Sequence, residues 1–189
     1  FSCGECRRCK EGRTNLCATY VTSGLNRHGG MAEYAAVEES TLSLVPEGLS
    51  LDAAGLAQPL AVGIHAARRA GVVSGDQVVL IGAGAIGTFV LAGLKSLVDA
   101  HVTVVDFPGE RLERAVRLGA DRVVAVSDTL DEDLKALFPL GADVVIEASG
   151  APGQMQKALK LTKRGGTMLQ VGLPSKPQEI EVHPMVMSE

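Results

Sequence analysis

Between Gln77 and Leu173 the chain repeats one pattern: a short apolar run rich in valine, then a stretch whose apolar positions recur every three or four residues. The runs are QVVLI (77–81), HVTVVD (101–106), DRVVAV (121–126), ADVVIEASG (142–150) and GGTMLQVGL (165–173). Their length, β-branched content and flanking glycines or aspartates predict strands. TFVLAGLKSLV (88–98) and the stretches near 109–118, 129–138 and 152–163 predict helices between them. Apolar strands alternating with helices at this spacing predict an α/β fold, a doubly wound parallel sheet covered on both faces and joined by right-handed crossovers. EIEVH (179–183) predicts a short sixth strand.

The first strand runs directly into Gly82-Ala83-Gly84-Ala85-Ile86-Gly87, and the first helix follows. A G-x-G-x-x-G between a strand and a helix is the setting a dinucleotide site requires. Gly82 allows the tight turn, Gly84 the close approach of a pyrophosphate to backbone N–H groups, and Gly87 the packing of helix on strand. The helix N-terminus then faces the anion. Asp106 closes the second strand, 19 residues past Gly87 (106 − 87). That is where such a site needs a carboxylate for the adenosine ribose hydroxyls. Taken alone, Asp106 reads as a cap for the helix in GERLERAVRLG; joined to the glycine turn, it reads as a cofactor residue.

The four cysteines occupy only the first seventeen positions, as Cys3, Cys6, Cys9 and Cys17 in C-x2-C-x2-C-x7-C spacing. Disulfides, an iron–sulfur cluster and a four-cysteine zinc site are the competing readings. Disulfides need an oxidising compartment, and no secretory segment is visible. The ferredoxin run continues with its fourth cysteine after three residues and then a proline, whereas here the gap is seven and Ala18 follows. A closed tetrahedral zinc site agrees with the spacing and with the lack of other cysteines. Arg7, Arg8, Lys10 and Arg13 are either cations that offset four thiolates or solvated loop charges.

Charge excludes some partners. Eighteen basic against 22 acidic residues leave a formal charge of −4 with no long block of either sign, so no footprint for nucleic acid exists. The most apolar stretch, around the glycine turn, is interrupted by Asp76 and Lys95 and is too short for a membrane span of ~20 residues. The chain starts at Phe1, inside the cysteine motif, which implies that further sequence precedes it.

Together the cysteine lobe, GGMAEYAAV (29–37), AQPLAVGIHAARRAG (57–71) and VLIGAGAIG…VVDFPGERLERAVRLGA (79–120) resemble the zinc-containing medium-chain dehydrogenase/reductase family, nearest to its sorbitol and butanediol (polyol) dehydrogenase branch. The resemblance covers essentially the whole chain. It implies a cytoplasmic, homo-oligomeric (dimeric or tetrameric) NAD-dependent oxidoreductase that moves a hydride between a small alcohol or ketone and the cofactor. Residues 1–56 would be the rear part of a GroES-like, β-rich catalytic domain with a structural zinc lobe, and 57–189 a Rossmann domain, incomplete at its C-terminus. The family's catalytic Zn2+ is held by a cysteine and a His-Glu pair; no cysteine lies outside the lobe and no Gly-His-Glu occurs, so those ligands are expected upstream. By the same likeness Gly82, Gly84, Ala85, Ile86, Gly87, Asp106, Arg111, Val171, Gly172 and Leu173 are cofactor contacts. Val171 and Leu173 also read as sheet core. Gln58 is the candidate catalytic position, contacting substrate or zinc-bound water, and departs from the branch's usual glutamate: an amide can accept a hydrogen bond but cannot act as a base. His65, in the predicted helix, reads as a packing residue, and His28 has no assigned role. Two other readings share these motifs: a zinc-free quinone-type reductase and a non-catalytic NAD-binding regulatory protein.

Overall fold

Glycines, cysteines and charged residues crowd the start of the chain, and what folds there is a set of turns. In the computed structural model, which describes residues 1–188, Phe1–Leu49 form one compact unit and a second begins at Ser50. The first unit holds one short helix, α1 (Arg7–Lys10), and two single-turn 3₁₀ segments, Thr14–Leu16 and Glu39–Thr41. Among the described residues this unit's only β pairing is an isolated bridge between Ser23 and Arg27. A strand is stable only when a neighbour takes up its N–H and C=O groups, and Met31, Leu44 and their surroundings lie exposed without such a neighbour. The unit closes through the Val21 N–H to Phe1 carbonyl bond (3.0 Å) and the Arg27 guanidinium 4.1 Å from the Phe1 ring centroid.

The second unit starts with α2 (Leu51–Ala54), capped by the Ser50 hydroxyl accepting from the Ala53 N–H, and α3 (Ala57–Ala70). Then follow β1 (Gln77–Ile81), α4 (Ala85–Leu97), β2 (His101–Asp106), α5 (Glu110–Arg117) and β3 (Arg122–Ala125). The chain continues as α6 (Leu130–Leu137), β4 (Ala142–Glu147), α7 (Gln154–Leu161), β5 (Thr162–Gln170) and α8 (Val182–Ser188). All strand pairs are parallel, in the order β3-β2-β1-β4-β5. This is the doubly wound Rossmann arrangement the repeating pattern predicts. Its order reverses between β1 and β4, and there the chain leaves a crevice beyond the strand ends.

Alternation along the strands divides the core. Val78 and Leu80 pack with Val102, Val104, Val144 and Ile146 under α3, α4 and α5; Val79 and Ile81 pack with Val105, Val145, Leu130, Leu134 and Ala158 under α6 and α7. Leu80 and Ile146 are fully buried, so truncating either to alanine costs about 2–5 kcal/mol. Helices α3 and α4 cross where both lack side chains: a Cβ on Gly63 would stand 2.2 Å from the Phe89 carbonyl oxygen, and one on Gly93 3.0 Å from that of Gly63.

The sixth strand expected at 179–183 and the packing role expected of His65 are both absent. Residues 179–181 form no strand, and Val182 and His183 open α8. Pro184 in the first helical turn sacrifices no helix bond there but would interrupt a ladder. His65 is exposed on α3 and packs in no core. Among the described residues no helix is long and apolar enough to cross a membrane.

Candidate cofactor crevice and cysteine site

The glycine turn places its backbone at the reversal point. Gly82 has φ +97°, a conformation side chains resist, and a Cβ there would stand 2.8 Å from the Ser149 nitrogen. At Gly87 a Cβ would stand 1.9 Å from the Gly82 carbonyl oxygen, so the helix can lie on the turn only because that side chain is missing. Gly84 differs: a Cβ would meet nothing within 4 Å, and Gly84 precedes α4 without any side-chain cap on the helix N-terminus. The first N–H groups of α4 thus face open space, with the positive end of the helix behind them. This is the fit an anionic pyrophosphate requires.

Gly82, Gly84, Asp106 and Arg111 line one cavity of about 530 Å³, together with Phe107, Ser127, Asp128, Ser149 and Lys157. Asp106 is buried at 6% exposure, at the end of β2. Its Oδ2 accepts from the Ala83 N–H at 2.6 Å and its Oδ1 from the Phe107 N–H at 2.7 Å, with Arg111 3.6 Å away. Each oxygen keeps a lone pair for a ligand hydroxyl. Asp106 therefore also fastens the glycine turn to β2, a duty its place in the sequence did not disclose. Ile86 is half-buried against the core, and Ala85 is exposed.

Val171, Gly172 and Leu173 lie just beyond β5. Leu173 is 93% exposed, which corrects its reading as sheet core, whereas Val171 is half-buried against the core. The strand ends before Leu173, so nothing covers it. Gln58, in the first turn of α3, is exposed and does not line the crevice. His28 is exposed too.

Glu147 is the residue that sequence reading missed. It ends β4 with no exposure at all. Its Oε1 accepts from the Ser149 N–H (2.7 Å), the Gly150 N–H (3.0 Å) and the Ser149 hydroxyl; its Oε2 accepts from the Gln170 side-chain amide. Its backbone carbonyl takes the Val171 and Gly172 N–H groups, both at 2.8 Å. The available signal was a second acid in ADVVIEASG, placed directly after the apolar Val144-Val145-Ile146 and followed by the small residues Ala148, Ser149 and Gly150.

In the first unit, the four cysteine ligand atoms lie within 4.8 Å of one another. Cys6 and Cys9 Sγ are 3.5 Å apart and Cys3 and Cys9 Sγ 4.0 Å. Those spacings far exceed a disulfide bond of about 2.05 Å and bracket the ~3.8 Å edge of a tetrahedron with Zn–S bonds of about 2.3 Å. The Cys6 and Cys3 N–H groups donate to the Cys3 and Cys17 sulfurs, each at 3.3 Å. The N–H of Cys6, then that of Glu5, holds the Cys3 thiol down at about 6, while burial and then neighbouring thiols push Cys9 up to about 11. A divalent cation at the centre removes that mutual opposition. Arg7 and Arg8 bind Glu11, at 2.7 and 3.0 Å.

Comparison with known proteins agrees with this geometry. Residues 85–189 match the family described as zinc-binding dehydrogenase, and residues 1–47 match the alcohol dehydrogenase GroES-like domain. The chain belongs to the zinc-binding dehydrogenase family. Over 180 residues, 93% of the chain, it is 34% identical to the sorbitol dehydrogenase of Bacillus subtilis strain 168, and over 183 residues, 96% of the chain, 32% identical to the L-threonine 3-dehydrogenase of Pectobacterium atrosepticum. It spans about half the length of these curated relatives, 50% of each. Among solved structures of such dehydrogenases, an Escherichia coli CFT073 alcohol dehydrogenase complexed with NADH superposes with a TM-score of 0.91 at 28% identity, covering all of this chain and 56% of the other. L-idonate 5-dehydrogenase from E. coli K-12 gives 0.89 at 30% identity with the same coverage. A zinc-binding dehydrogenase from Sinorhizobium meliloti 1021 bound to NADP gives 0.88 at 28% identity, covering all of this chain and 57% of that one.

Proposed function

We propose that this chain is the cofactor-binding and zinc-lobe portion of an NAD-dependent dehydrogenase of small alcohols or polyols. The observation that carries the reading is the uncapped N-terminus of α4 opening on the same crevice as the buried Asp106 carboxylate. The α4 N–H groups hold the pyrophosphate, Gly84 admits it, and Asp106 accepts from the adenosine ribose hydroxyls. Its negative charge disfavours a ribose phosphate, which points to NAD over NADP, while Arg111 partly offsets the repulsion. Bound NAD supplies a hydride acceptor, and a second zinc in the whole enzyme supplies polarisation of the alcohol oxygen.

Cys3, Cys6, Cys9 and Cys17 hold the structural zinc, a closed site that leaves no position for substrate. The lobe disfavours a zinc-free quinone-type reductase as the alternative. Gln58 meets substrate or zinc-held water in this reading, supported by the likeness of the flanking PLAVGIHA to the polyol branch, although Gln58 itself stands where that branch usually has glutamate. Cytoplasmic residence and homo-oligomeric assembly rest on the same family likeness.

Metal analysis and an NADH fluorescence titration of the purified chain test the reading together. The expected result is about one zinc per chain and saturable NADH binding. Iron in place of zinc, or no nucleotide binding by folded protein, overturns it.

A further inference from the structure

The topology gives the crevice two unequal halves. With the pyrophosphate at α4, between β1 and β4, and the adenosine side marked by Asp106 on β2, the other half of a dinucleotide extends over the ends of β4 and β5. Glu147 ends β4 there and is bonded to Ser149, which lines the crevice. A Cβ on Gly172 would stand 2.2 Å from the Gly150 nitrogen and 2.5 Å from Glu147 Oε2, and one on Gly150 2.9 Å from the Leu173 carbonyl oxygen. The turn after β4 and the segment after β5 are thus pressed together around this carboxylate.

All of the carboxylate's side-chain partners are donors: two backbone N–H groups, the Ser149 hydroxyl and the Gln170 amide. That is the environment of an ionised acceptor. None of the ion pairs among the described residues includes Glu147. Gln170 also donates to the Gly172 carbonyl at 2.7 Å, which leaves its own buried Oε1 without a partner. An orphaned acceptor is costly, and the amide is held that way round because the carboxylate and the carbonyl both require its N–H groups.

We infer that Glu147 is a positioning residue for the nicotinamide half of the cofactor, whose buried negative charge raises affinity for the oxidised dinucleotide relative to the reduced one. The inference rests on the NAD-binding reading above. A nicotinamide ring is cationic when oxidised and neutral when reduced, so a nearby carboxylate with no paired cation would favour the oxidised state, whereas hydrogen bonding to the turns serves both alike.

The test is the ratio of NADH to NAD+ dissociation constants, measured on the full chain with thermal stability followed in parallel. Glu147→Gln keeps the shape and removes the charge, and Gln170 can rotate to offer its idle Oε1 to the new amide. The ratio should fall by roughly three- to tenfold. Glu147→Asp keeps the charge and spoils the reach, so both constants should rise while their ratio holds. Gln170→Lys sets an ammonium against an untouched Glu147 and should lower the ratio as Glu147→Gln does, which keeps the idea open to refutation if that variant does not fold. Both constants changing by a common factor in Glu147→Gln and Gln170→Lys would mean a scaffold residue only, and an unchanged ratio likewise overturns the inference. Failure of the wild-type chain to bind either form instead refutes the NAD reading itself.

Discussion

Gly84 and Gly87, three positions apart, separate ligand contact from packing. Gly84 has φ −68° and empty space around it, so Gly84→Ala should leave thermal stability nearly unchanged while weakening NADH binding at least about tenfold, because the methyl occupies the pyrophosphate's approach. Gly87→Ala drives a methyl into the Gly82 carbonyl and should destabilise the fold by about 2–4 kcal/mol, read from denaturant unfolding. Equal stability losses in the two variants would contradict this division. Gln58 calls for the full-length enzyme: on its proposed role, Gln58→Glu would add negative charge beside the zinc-held substrate, raise the pKa of the bound alcohol and move the alkaline-activated limb of the pH profile upward. Unchanged kinetics across pH place Gln58 outside the site. The places of the glycine turn and of Asp106 at the end of β2 were legible because they follow from spacing within one β1–α4–β2 unit. Glu147 was not, because its meaning depends on Gln170, 23 residues away in sequence and adjacent only once β4 and β5 pair.

At the level of strands and helices, carboxylates pin the starts of the strands. Asp143 accepts from the Gln77 N–H at 2.7 Å and pairs with Lys163, so β1, β4 and β5 are joined at one residue. Asp121 accepts from the Val102 N–H at 2.7 Å and from Lys95 at 3.0 Å. Lys163 and then the Gln77 N–H hold the Asp143 carboxyl below its ordinary value; at Asp121 burial works the other way, yet the Val102 N–H and Lys95 outweigh it. A carboxyl depressed in the folded state stabilises above its unfolded pKa of about 3.9, and that contribution is lost as pH falls through the lower folded value. Acid should therefore erode stability below about pH 4, and Asp143→Asn should flatten that part of the stability–pH curve. An identical slope in the variant would show that Asp143 contributes nothing to it. The strands were readable because parallel strands buried on both faces leave unbroken apolar runs. The false sixth strand at 179–183 shows the limit: alternation over a few residues is not enough without a neighbour, and Pro184 suits a helix start. The absence of strands in Phe1–Leu49 has the same cause, since pairing is a property of two segments.

Across the molecule, the candidate metal site and the candidate nucleotide crevice fall in different compact units, with the cysteines in Phe1–Leu49 and the crevice in the unit that begins at Ser50. Cys9→Ser should release the zinc and loosen the first unit, as seen by metal analysis and proteolysis, while NADH affinity stays within about twofold because no crevice residue belongs to that unit. The crevice acts as a dinucleotide site only if it reads the ribose through Asp106. The direct measurement is the pair of NAD+ and NADP+ dissociation constants at fixed salt, for the wild-type chain and for Asp106→Ser combined with Phe107→Arg. Wild type should bind NAD+ at least about tenfold more tightly than NADP+; the double variant should lose NAD+ affinity by about tenfold or more and gain NADP+ affinity, since a guanidinium can grip the phosphate through two bonds. Equal affinity of the wild-type chain for both nucleotides would reduce Asp106 to a clasp on the glycine turn and contradict the account.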